Sequence, residues 1–141
     1  MDTELLLKLF RGVVDTVASE RGISRYKVPR ARHLPIVVLG KRSPYPGVDG
    51  LFMYDTKPSL VFVYEESANK AGTLLHELVH AAEFYLTGKV SGYYVPGVPS
   101  QKYVYEYAAR HGEQLAMHMV DMLADDINVV LMAYMYVNER G

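Results

Sequence analysis

Apolar residues return at spacings of three and four between Thr3 and Glu20, at Leu6, Leu9, Phe10, Val13, Val14 and Val17, the stripe of a helix laid on a core. Gly22 is placed to end that helix. Ile36 to Leu39 is a short β-branched run between Pro35 and Gly40, followed by the turn-forming Ser43-Pro44-Tyr45-Pro46-Gly47. Two further apolar runs, Leu51 to Tyr54 and Leu60 to Tyr64, are separated by Asp55-Thr56-Lys57-Pro58-Ser59. Three short strands, read as antiparallel neighbours, account for these runs. After Glu65-Glu66-Ser67 the helical period returns through Leu74, Leu75, Leu78, Val79, Ala82 and Leu86, and Gly88 stops it. Residues 90 to 100 read as an ordered loop around Tyr93-Tyr94-Val95-Pro96-Gly97-Val98-Pro99, Ser100 as the N-cap of a helix reaching Ala124, and Ile127 to Val137 as a C-terminal helix. The expected fold is a single α+β domain: an N-terminal helix, a small and mainly antiparallel sheet of three strands, and three further helices.

Within the 74–86 pattern, His76-Glu77-Leu78-Val79-His80 fits H-E-x-x-H. At about 100° and 1.5 Å per residue the two histidines lie one turn apart on one helix face, so both imidazoles can reach one tetrahedral ion. Glu77 cannot easily join the same coordination sphere. It can reach a water bound to the ion, where a general base has to be. Two histidines need a third protein ligand. Glu83 shares their face but lies a turn too far along, and reads as a supporting or surface acid. Glu106, Ala109, Glu113 and Ala116 make a narrow seam on the next helix, whose small alanines permit a close approach to the histidine helix. Glu106 and Glu113 are both candidates for the third ligand. His111 falls about 140° from Glu106 around that helix and faces elsewhere.

These residues resemble the gluzincin metallopeptidases, in which H-E-x-x-H is followed by a helix carrying E-x-x-A. Glu106-Tyr107-Ala108-Ala109 is similar to the E-Y-x-A stretch of HtpX-like and CAAX-processing peptidases. The strands leading into Ala71-Gly72-Thr73-Leu74-Leu75-His76-Glu77 resemble the minimal ImmA/IrrE-like and minigluzincin domains. The resemblance covers about residues 50 to 124. It implies a zincin-like fold, one Zn2+ per chain held by His76, His80 and Glu106, and zinc-dependent hydrolysis of peptide bonds with Glu77 as general base. It also implies an extended or unfolded peptide as substrate, laid along an edge strand that leads into the metal helix, either Leu51 to Tyr54 or Leu60 to Tyr64. The metzincin continuation is excluded, because Glu83 and Leu86 stand where it needs Gly and His. Arg110 replaces the Asp that often follows E-x-x-A and orients a zinc histidine. That departure keeps a second expectation open, a zinc-binding regulatory or interaction domain with little or no proteolytic activity. Tyr93, Tyr94, Tyr103, Tyr105, Tyr107, His111 and His118 are the candidates to stabilise an oxyanion, and the sequence does not choose among them.

Composition narrows the rest. With 141 residues, no Cys and no Trp, the chain has the length of one domain and excludes both disulfides and Cys-based zinc fingers. Charged residues at 22% and a formal charge of −1 argue against disorder and against any global attraction to nucleic acid. Nine of the 15 Lys and Arg lie in residues 1 to 45, but the run Arg21, Arg25, Lys27, Arg30, Arg32, Lys41 and Arg42 reads as a solvated face. Met117, Met119, Met122, Met132 and Met135 read as packing residues. No apolar stretch reaches membrane-spanning length, and the N-terminus lacks a basic region with a small-residue cleavage site, so a cytoplasmic location is expected. The oligomeric state is not written in the pattern.

Overall fold

The computed structural model of the chain describes residues 2–89, 123 and 126–140. In chain order these form helix α1 (Asp2–Glu20), a single 3-10 turn (Ala31–His33), strands β1 (Ile36–Lys41), β2 (Gly50–Met53) and β3 (Leu60–Tyr64), helix α2 (Lys70–Thr87) and helix α3 (Ile127–Arg140). The described residues therefore make a small α+β fold of three helices and a three-stranded sheet. The expected 93–99 loop and the glutamate-bearing helix from Ser100 lie outside them. No described helix is long and apolar enough to cross a membrane.

Helix α1 buries the stripe expected of it: Leu6, Leu9, Phe10, Val13, Val14 and Val17 are all buried. Each such side chain contributes roughly 1.5–3 kcal/mol when fully removed from water. The helix ends where residue 22 takes φ 70°, a left-handed conformation that costs a glycine nothing. Around Gly22, the Ile23 amide donates to the Ala18 carbonyl at 2.8 Å and the Gly22 amide to the Ser19 carbonyl at 3.2 Å, closing the last turn in a Schellman motif. The chain then runs back over α1. Arg11 Nε donates to the Pro29 carbonyl at 2.8 Å, and the Tyr26 hydroxyl donates to the Asp15 carboxylate. That hydrogen bond, with burial behind it, pushes the Tyr26 hydroxyl up to about 12, so the bond persists throughout the neutral range.

The sheet corrects the antiparallel expectation. Its order is β1-β3-β2, with β1 parallel to β3 and β2 antiparallel to it, so the sheet is mixed and β3 is central. Val61 and Val63 of β3, with Val37 of β1, turn one face toward the helices and are buried there. Helix α2 crosses this face against β2 and β3 and packs on α1. Helix α3 closes the core with Val129, Ala133, Tyr136 and Val137 buried. Met132 packs partly against the core whereas Met135 is half exposed, so the expectation of packing roles holds for the first of these two.

One ion pair ties the helices. Arg21, just past the end of α1, places Nη2 at 2.7 Å from Glu83 Oε2 on α2, and Glu83 is only 3% exposed. Arg21 stays exposed, as expected of the basic run, while its guanidinium reaches the buried acid.

Candidate metal centre

Helix α2 is fixed at both ends by local chemistry. The Asn69 side chain accepts from the Gly72 amide at 3.0 Å, capping an otherwise unsatisfied donor of the first turn. Ser67 Oγ and Thr73 Oγ1 share a hydrogen bond of 2.8 Å, which locks the approach from β3 onto that turn. The helix stops at Gly88, where the sequence places its end. Between these anchors the residues of the motif occupy successive positions facing the sheet and the core.

His76, Glu77 and His80 come together as expected from their spacing. Their candidate donor atoms all lie within 4.8 Å of one another. The two imidazole centroids are 5.0 Å apart, with the ring planes at 79°. His76 Nε2 stands 4.0 Å from Glu77 Oε1. Glu77 and His80 are each 5% exposed, whereas His76 is the more open of the three. Donors on one tetrahedral zinc sit roughly 3.3–3.6 Å apart at bond lengths of about 2.0–2.2 Å, a separation close to that of the two imidazoles, with Glu77 beside them. The donor set fits such an ion. Two imidazoles suit zinc, no thiolate competes, and a cation would balance a carboxylate that burial otherwise makes costly.

Glu106 and Glu113, the expected third ligands, lie outside the described residues, as do Tyr93, Tyr94, Tyr103, Tyr105, Tyr107, His111 and His118. Glu83 is buried against Arg21, which makes it a structural acid.

Two positions beside the motif were not anticipated. The first is Gly50, where β2 begins. A Cβ there would stand 2.6 Å from Thr73 Cγ2 and 3.0 Å from both Glu77 Cγ and the Phe62 carbonyl. The edge strand thus approaches α2 so closely that its backbone touches the stem of Glu77. An isolated glycine opening a strand is a recognised sign of close backbone approach, and the sequence carried that sign. Gly50→Ala should lower stability by about 1–3 kcal/mol, the usual cost of forcing atoms into a packed site. Urea denaturation measures this, and unchanged stability would mean that the strand retreats without resistance. The second is Tyr64, buried at the end of β3. Desolvation first, then the negative charge of Tyr45, Glu77 and Glu66, pushes its hydroxyl up from its ordinary value, so it remains a neutral donor.

Comparison with family models, with curated proteins and with solved structures finds no match to this chain. The argument for function therefore rests on the geometry of the site.

Proposed function

We propose that the protein is a zinc-dependent metallopeptidase of the gluzincin type. The observation that carries this reading is the convergence of His76, Glu77 and His80 on one face of α2, beneath the edge strand β2. His76 and His80 would hold the metal, with Glu106 as third ligand and Glu113 as the other candidate. The bound ion would supply a Lewis acid that brings a water's pKa near neutrality. Glu77 takes the proton from the attacking water on its carboxylate and delivers it to the leaving amine. Its placement beside the histidines, with its stem close to the Gly50 backbone, suits that exchange.

The substrate reading needs one correction. Both β2 and β3 were candidates for the strand that receives an extended peptide, but β3 is central and its two sides are already paired. Strand β2 is the edge that packs on α2, and it offers the main-chain groups for an added strand. Substrates would then be unfolded segments or exposed loops.

Elemental analysis tests the metal. Wild type should carry one zinc per chain, and His76→Ala or His80→Ala should weaken binding by more than about a hundredfold, since removal of even an outer supporting group costs 10–100-fold. Stoichiometric zinc in both variants would sink the site. Glu106→Ala and Glu113→Ala, measured alongside, identify the third ligand. The second reading, a zinc-binding regulatory domain without turnover, is favoured by Arg110 in place of the orienting Asp. A peptide-library digest of the zinc-loaded protein separates the two.

A further inference from the structure

A second concave site lies apart from the metal group and shares none of its residues. It is a cavity of about 660 Å³ between the first turns of α1, the start of β1, the β2–β3 turn and α3. That volume falls in the range of about 300–1,000 Å³ typical of small-molecule sites. Its apolar lining comes from Leu6, Pro35 and the ring of Tyr136, which are buried behind it, and from Ile36, half exposed at its rim. Two cations stand with them, Arg32 from the 3-10 turn and Lys57 from the β2–β3 turn, and both are exposed. No carboxylate is among its described lining residues.

Neighbouring His33 feels one of the same cations, Arg32. Its protonated form is disfavoured, first by burial and then by Arg32, Arg30 and Lys27, which lowers its pKa from the ordinary value. Its Nδ1 accepts from the Arg30 amide at 2.9 Å, a bond that protonation of that nitrogen would break. A site with apolar walls, positive groups and no opposing acid suits a ligand of matching build. Neither feature suffices alone: a small inorganic anion would leave the walls wet, and a neutral hydrocarbon would leave the cations unused.

We propose that this cavity binds a small anionic amphiphile, an aliphatic body ending in a carboxylate that meets Arg32 and Lys57. The site is independent of the metallopeptidase reading. The probe is decanoate, titrated below its micelle concentration into the full-length protein and followed by the resonances of Ile36 and Tyr136. Saturable shifts are expected at both. Decanol, with the same body and no charge, and acetate, with the charge and no body, should each bind at least about tenfold more weakly. Arg32→Gln combined with Lys57→Gln should weaken decanoate about tenfold, as two exposed ion pairs allow. Because both side chains are exposed, the fold should survive, which circular dichroism checks. Added salt should weaken decanoate binding to the wild type, testing the charge requirement without any substitution. Ile36→Glu, which sets a carboxylate at the half-exposed rim, should abolish binding. Absence of saturable shifts would overturn the proposal. So would decanol binding as tightly as decanoate, or an affinity indifferent to both salt and the double substitution.

Discussion

Glu77→Gln should leave the fold and the zinc in place and reduce peptide hydrolysis by about 10²–10⁴-fold or more, the contribution a positioned general base makes. The amide has nearly the shape of the carboxylate, so the tight contact of the Glu77 stem with β2 is preserved. The imidazoles of His76 and His80 are unaltered, and with them the metal donors. What disappears is the capacity to take a proton from water. Turnover of a quenched peptide library, measured beside zinc content on the same preparation, decides the matter. Wild-type turnover in the variant would assign the base elsewhere or expose a contaminating protease. Loss of zinc together with activity would instead make Glu77 a ligand.

Arg21→Ala should cost about 2–3 kcal/mol of stability. Breaking a fully buried pair by removing one partner costs about 3–5 kcal/mol, because the remaining charge stays out of water. Here Glu83 is 3% exposed while the Arg21 side chain is 35% exposed, so part of the cation's energy is already shared with solvent and the lower figure applies. Glu83→Gln should be milder, since the amide keeps the packing and needs no counter-charge. A double-mutant cycle by urea denaturation isolates the pair, and a coupling near zero would show that the 2.7 Å contact contributes nothing. Since this pair adds to the apolar contact of α1 with α2, Arg21→Ala should also lower the temperature at which α2 unfolds.

The helices were legible because their information is local. The α1 stripe, the Gly22 and Gly88 stops and the motif on α2 all follow from spacings within a few turns, and each stands where the sequence puts it. Strand positions were also local: Leu60–Tyr64 matches residue for residue, and Gly50–Met53 is shifted by one from the expected run. Strand pairing was not, because hairpin logic joins sequence neighbours, whereas β1 passes over β2 to lie parallel to β3. The Arg21–Glu83 pair spans 62 residues and has no local trace at all. The H-E-x-x-H motif was readable as a spacing, and the glycine opening β2 signalled a close backbone approach, but its partners Thr73 and Glu77 emerge only once strand and helix are placed together.

The contact at Gly50 makes the edge of the sheet and the Glu77 side chain one mechanical unit. A side chain between them would act as a cushion, able to change rotamer and absorb small shifts of the strand. Backbone pressed against the stem of Glu77 leaves no such slack, so a displacement of β2 is passed directly to the helix beneath it. The reach of Glu77 is then set by the curvature of the sheet. Substitutions that twist or flatten β2, even far from the histidines, would retune it, whereas repacking side chains on the opposite face of α2 would not.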